Sequence, residues 1–458
     1  MKPLTLQQIT EVCHGRLLTG DPQTVVQAIS TDTRDLPPGS LFVALKGEAH
    51  NGHDFTADAC AKGAAAVLVA RDQPLDCPRI LVGDTLLAYG QLGALARDGS
   101  AAKFLAVTGS AGKTTIKDML GSILALEGPA LVAHGNENNE VGVPRLLLQL
   151  EPEHRYCVLE LAMRGPGEIA YLAGLCRPHI GVITIVGEAH LGRLGSREAI
   201  AKTKAELLAA LPPDGRAVLN ADDFFFGLLG ELAPCPVVSF GFGPAPQEVE
   251  FHVSAEDLKL RGVDPTRFTL RIGSERTAVT LQLPGEHNVA NALAAAATAL
   301  AAGIGLPTIR AGLEGYTGTE MRTQVLRTPT GIIIINDAYN ASPTSTPEAL
   351  KVLGQSPGRH IFVFGDMLEL GQASEKAHRQ IGRLCAQTAV DWLIAIGKDV
   401  AFTAQEAEAA GVQVNMASDV AGALALLKGA VEPGDTVLVK ASRGMKLEGV
   451  VEGLLHDA

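Results

Sequence analysis

The run Gly109-Ser110-Ala111-Gly112-Lys113-Thr114-Thr115 gathers the groups that hold phosphate into one short stretch. Glycines let the backbone approach a ligand closely, so successive amides can converge on phosphate oxygens at the positive end of a helix. Lys113 adds a point charge, and the Thr114 hydroxyl can ligate magnesium. The loop is shorter than the common G-x-x-x-x-G-K-[ST] form, because position 107 is valine. A plain strand-to-helix turn with an exposed lysine is the alternative, and the flanks argue against it. A buried strand, FLAV (104–107), runs into the loop. Ile116, Met119, Leu120, Ile123 and Leu124 then follow at i, i+3, i+4, i+7 and i+8, one helical face.

Three further residues have the types such a site would use. Glu160 interrupts the buried run CVLEL where the strand should reach the sheet edge on which ligands usually sit, and it can hold magnesium directly or through water. Capping the next helix is its bland alternative. His190 lies just beyond another buried strand, GVITIV. Lys204 shares a helical stripe with Ile200, Leu207, Leu208 and Leu211, while Lys202 and Glu206 sit roughly opposite. A lysine on an apolar stripe needs a partner, a stem long enough to reach water, or a lowered pKa that leaves a reactive amine. Captured CO₂ would turn that amine into a carbamate, an anion able to bind a second magnesium.

These residues need rigid elements to hold them, and the hydrophobic pattern supplies an α/β chain. Thr5 can cap a helix that Gly15 ends, and LFVAL (41–45) and AAVLVA (65–70) read as buried strands. From about 101, buried strands alternate with amphipathic helices through AVLN (217–220), which implies a parallel sheet covered on both faces. Between about 236 and 284, FTLRI and TAVTLQL alternate apolar and polar residues, as expected of a small antiparallel insertion. A third series starts near 320 with IIIIND, HIFVFGDM, DWLIAIG and TVLVKAS. Three α/β domains are expected, at 1–100, 101–317 and 318–458, in a chain of 458 residues, about three times a typical domain of roughly 150.

Composition narrows the partners. Asp plus Glu outnumber Lys plus Arg by 50 to 38, so no overall basic field invites nucleic acid or anionic lipid. The longest apolar stretch, 290–306, is broken by Asn291 and Thr298 and makes a poor membrane span, and the first residues lack an apolar signal core. Seven cysteines without a CxxC pair suit a reducing compartment, so a cytoplasmic protein is expected. His50, His53 and His287 lack the paired spacing of a zinc site.

Taken together, the motifs resemble the Mur ligase family, which also includes folylpolyglutamate synthases. TGSAGKTT looks like the family's TGxxGKT[ST]. LPGEHNVANALAAAA is similar to its G-x-H-N-x-x-N-x-L-A-A element, and NDAYNASPTS and KASRGMKLE are similar to its C-terminal motifs. TDTRDLPPGSLFVALKGEAHNGHDF, GNENNEVGVP, AHLGRLGS and GDMLELG point to the branch that adds D-alanyl-D-alanine to UDP-N-acetylmuramoyl-tripeptide. The likeness runs from about residue 30 to 450. Ala162 and Arg164 in ELAMRGPGEI, Glu320 and Met321 ahead of Arg322, and Ala441 in KASRG depart from the usual pattern.

The resemblance implies an N-terminal α/β domain for the uridine diphosphate end, a central ATPase domain built on the phosphate loop, and a C-terminal Rossmann-like domain. It implies ATP on residues 109–115, with Asn291, Arg322 and Asp337 also at the nucleotide. Thr114 and Glu160 would bind one Mg²⁺, and His190 and carbamylated Lys204 a second. Asp32, Thr33, Arg34, Lys46, His53 and Phe55 fall in the motifs for the uridine diphosphate end. Asn138, Asn139, Asn340, Ser342, Ser442 and Arg443 would line the reaction centre. The activity implied is formation of an acyl phosphate followed by attack of the amine of D-alanyl-D-alanine, by a monomer. A neighbouring amino-acid or folate ligase would keep the same ATP residues, and GNENNEVGVP and GDMLELG argue against it. A nucleotide-gated switch is the non-enzyme alternative. It should carry an NKxD-type base reader, and the sequence has none.

Overall fold

The computed structural model describes residues 2–47 and 50–456, so Glu48 and Ala49 of the first long motif lie outside the described residues. Two compact units result. One comprises residues 1–106, 128–163 and 168–178, and the other comprises 107–127, 164–167 and 179–458.

In the first unit, Thr5 caps the helix Leu6–Val12 through a capping box with Gln8. A five-stranded sheet runs in the order Arg16–Thr19, Arg79–Leu81, Ala66–Val69, Ser40–Val43, Ala28–Ser30. Only its first pair is antiparallel. The strands at 40–43 and 66–69 are buried at every position, which is why they read as unbroken apolar runs. Tyr156–Glu160 pairs in parallel with Ala130–Val132 and carries Glu160 at its end. The fold joins Cys60 to Cys77 in a disulfide and leaves Cys13, Cys157, Cys176, Cys235 and Cys385 free. Cys60 and Cys77 lie 17 residues apart, and only the return of the chain past the helix Thr56–Ala61 brings them together.

In the second unit, Val107 and Thr108 end the strand that feeds the phosphate loop. Ile180–Ile183, Arg216–Asn220 and Val237–Gly241 lie side by side in parallel. The small antiparallel insertion expected at 236–284 is present, and it extends the same sheet. Phe251–Lys259 pairs in parallel with Val237–Gly241, and Thr266–Ile272 and Glu275–Leu281 then extend the same sheet antiparallel. The polar alternation marks a sheet edge wetted on one face. The helix Glu286–Ala301 packs a run of alanines against it. A six-stranded sheet follows in the order Gln324–Arg327, Ile333–Asp337, Thr436–Lys440, His360–Gly365, Trp392–Ile396, Gln413–Ala417, parallel except for its first pair. Among the described residues no helix is long and apolar enough to cross a membrane.

Candidate functional site

The phosphate loop has the backbone that its glycines foretold. Gly109 and Gly112 take φ of +153° and +81°, where an L side chain is strained, and Gly112 opens the helix Lys113–Leu124 with no side chain capping it. A Cβ at Gly109 would run into Thr184, and one at Gly112 into the amide oxygen of Asn291. The loop is tied down from behind. Ser110 N–H donates to Ile185 O (2.8 Å), Thr184 Oγ1 to Ala111 O (2.5 Å), and Gly187 N–H to Ser110 Oγ (2.9 Å). Lys113 Nζ donates to Gly109 O at 3.0 Å, folding its ammonium back over the loop. Ile116, Met119, Leu120, Ile123 and Leu124 are all buried, as the helical spacing requires.

Basic groups converge on this loop. Lys204 is 2% exposed on the helix Arg197–Ala209, among the buried Ile200, Leu207 and Leu208. Burial first, then the charge of Lys113, pushes its ammonium well below the usual lysine range. His190, in left-handed backbone at φ +66°, is likewise lowered, by burial first and then by Lys204 and Lys113. Its Nδ1 lies 3.4 Å from Glu369 Oε2. A lysine held next to a second lysine and a histidine makes a field that welcomes a polyanion. It repels a bare cation unless Lys204 itself becomes anionic. Among the described residues no group of three or more His, Cys, Asp or Glu side chains could hold a metal.

Around the loop, Arg322 reaches Thr114 Oγ1 (3.2 Å) and sits over the Tyr339 ring, its guanidinium carbon 3.9 Å from the ring centre. Tyr339 therefore packs on an arginine. Asn291 is oriented by Asn288 (3.2 Å), itself bonded to Pro284 O. Asp337 is engaged on both oxygens, by Thr323 N–H (3.1 Å) and by Lys440 Nζ (2.5 Å). Ser442 Oγ accepts from Leu368 N–H (2.9 Å), and Ser342 Oγ caps Ser345 N–H (3.2 Å), so both hydroxyls brace loops. Asn340 is exposed and gives its carbonyl to Lys440. Arg443 pairs with Glu448 at 2.6 Å. Sequence reasoning passed over Thr184, Glu369 and Lys440. Lys440, charged inside the apolar run TVLVK, was the one with a visible signal.

In the first unit, Glu160 is 2% exposed and accepts from Asn138 Nδ2 at 2.8 Å. Asn139 instead caps the helix Gly142–Leu147 through Gly142 N–H (2.9 Å). The residues expected at the uridine diphosphate end divide by exposure. His53 is buried, its Nε2 accepting from Ala70 N–H (2.9 Å), which leaves Nδ1–H for Asn51 Oδ1 (3.0 Å). Lys62 Nζ holds the Thr33 carbonyl at 2.9 Å, and Lys46 bridges to Asn51. Arg34 and Phe55 stay open to solvent, and Arg34 holds the Asp32 carboxyl down to about 2.

Known proteins carry the same plan. Residues 25–112, 107–299 and 321–443 match models described as Mur ligase family, catalytic domain; Mur ligase middle domain; and Mur ligase, glutamate ligase domain. The chain is 38% identical to the UDP-N-acetylmuramoyl-tripeptide–D-alanyl-D-alanine ligase of Escherichia coli, covering 100% of this chain and 99% of that one. It is 36% identical to the enzyme of that name from Bacillus subtilis, over 99% and 98%. A crystal structure of MurF from Acinetobacter baumannii superposes with a TM-score of 0.92 at 36% identity, over 100% and 99%. The Thermotoga maritima MurF ligase in complex with ADP does so at 0.84 and 25%, over 94% and 98%.

Proposed function

We propose that this chain, which belongs to the Mur ligase family, joins D-alanyl-D-alanine to the free carboxylate of UDP-N-acetylmuramoyl-tripeptide at the expense of ATP. The product is the pentapeptide precursor of peptidoglycan. The observation that carries the reading is the glycine loop on which Lys113, Lys204 and His190 converge. A carboxylate is a poor electrophile, so its oxygen first takes the γ-phosphate of ATP, and ADP leaves. The amine of D-alanyl-D-alanine then attacks the acyl phosphate, and inorganic phosphate departs from the tetrahedral intermediate. Both steps gather negative charge, which the loop amides and Lys113 stabilise because they are already in place.

The residues fit magnesium only with one modification. Thr114 and Glu160 offer the oxygens that Mg²⁺ prefers, whereas Lys204 as an ammonium would repel it. Carrying CO₂ as a carbamate, Lys204 would join His190 in holding a second ion, and Mg²⁺ held there would neutralise charge at the transferring phosphoryl group. Asn291, Arg322 and Asp337 hold the nucleotide, Asp337 also bonding Lys440 and Thr323. Asp32, Thr33, Arg34, Lys46, His53 and Phe55 form the uridine diphosphate end, with Arg34 and Phe55 presented to the ligand. Asn138 orients Glu160, while Asn139, Asn340, Ser342, Ser442 and Arg443 shape the reaction centre. Domains at 1–100, 101–317 and 318–458, a monomer, and a cytoplasmic location complete the proposal.

The acceptor test is direct. Purified protein given ATP, Mg²⁺ and UDP-N-acetylmuramoyl-tripeptide should yield a UDP-linked pentapeptide by mass only when D-alanyl-D-alanine is added. A product with single amino acids, or with folate and glutamate, would move the chain to another branch.

A further inference from the structure

One backbone stretch, 185–188, is held by two separate loops. Ser110 of the phosphate loop takes both its Ile185 carbonyl (2.8 Å) and its Gly187 amide (2.9 Å). Thr344, from the motif DAYNASPTS, packs against Gly187 and accepts a long bond from Glu188 N–H (3.4 Å). The fit is close. A Cβ at Gly187 would lie 3.1 Å from Thr344 Cγ2 and 3.2 Å from its Cβ, and nearer still to Oγ1. Turning Thr344 to another χ1 rotamer would move Oγ1 away, but its Cβ, fixed by the backbone, would stay 3.2 Å from the added methyl. The same loop meets the C-terminal α/β series again, where His190 faces Glu369 (3.4 Å) and a Cβ at Gly192 would lie 3.1 Å from Leu370 O.

We propose that Thr344 is a positioning residue for the ligation, which seats on Gly187 and thereby fixes Ser110 and the phosphate loop. The inference rests on the ligase reading. It assigns a role to a residue whose contacts here are with Gly187 and Glu188. Thr344 acts by contact volume and one weak bond, so its effect depends on what stands at Gly187.

Four variants test it: Thr344→Ala, Thr344→Ser, Gly187→Ala, and the double variant Gly187→Ala with Thr344→Ala. Gly187→Ala should lower kcat about tenfold to a hundredfold, the scale set by misplacing a group by an ångström. KM for ATP should rise as well, because Ser110 belongs to the loop on which ATP is expected to sit. Thr344→Ala should lower kcat severalfold, and Thr344→Ser should restore it. The double variant should be at least as active as Thr344→Ala, because the added methyl fills the space that the lost atoms vacate. Amide hydrogen exchange over 185–192 should quicken in Thr344→Ala and slow again in the serine and double variants. That readout needs no turnover, so it decides the contact even if the wild-type chain does not ligate. A neutral Thr344→Ala, a double variant whose loss is the product of the single losses, a double variant that does not fold, or unchanged exchange overturns the proposal.

Discussion

Replacing Lys204 by methionine should stabilise the protein while removing its activity. Lys204 is 2% exposed, it is flanked by Ile200, Leu207 and Leu208, and its ammonium is pushed down by burial and by Lys113. Each unit of that depression is about 1.4 kcal/mol of folding free energy lost to holding the group where its charge is disfavoured. Methionine matches the length and volume of the stem without the amine. Exchanging buried charge for apolar volume is worth roughly 1–4 kcal/mol. At about 2 °C per kcal/mol for a large unit, the melting transition should rise by about 2–8 °C. The assay is a thermal melt in CO₂-depleted buffer, beside phosphate release under full substrates. Added bicarbonate should stabilise the native protein and leave Lys204→Met unmoved. A melting point that falls in the methionine variant would refute the reasoning, because it would mean that Lys204 makes stabilising contacts which outweigh its burial.

Other consequences follow from the same geometry. Lys113→Ala should abolish turnover with the melting point nearly unchanged, and retained turnover would remove Lys113 from the chemistry. Labelled bicarbonate should give a carbamate carbon resonance in the native protein that Lys204→Ala lacks. Arg322→Lys gives up the guanidinium contact on Tyr339, so KM for ATP should rise, by about twofold to thirtyfold for an interaction of roughly 0.5–2 kcal/mol. His53 and His252 are both held below the usual 6.5 by burial, so the unfolded chain binds more protons as pH falls below that value. Stability from them is full above about pH 6.5 and is lost on acidification. Melts at pH 7.5 and 5.5 should show the loss, and His252→Gln should lessen it.

Much of this was legible because strong local rules agreed. The buried stripe of the helix after Ser196 identified Lys204 as anomalous before any fold was known, and the structure buries it. Gly109 and Gly112 sit where only a residue without a Cβ fits between Thr184 and Asn291. What sequence alone missed depends on long-range approach. Nothing near Glu369 says that it will face His190, 179 positions earlier in the chain. Nothing near Asp337 says that Lys440 and Thr323 will occupy both of its oxygens. The antiparallel strands were readable, but their continuation of the central sheet was not, since edge pairing leaves no trace in local periodicity.

The most direct test of the account is phosphate release from ATP and Mg²⁺, measured with neither acceptor, with each alone, and with both. Release that requires UDP-N-acetylmuramoyl-tripeptide and D-alanyl-D-alanine together, at one phosphate per pentapeptide formed, is the predicted result. ATP hydrolysis indifferent to both, or binding of ATP with no release under any combination, would contradict it.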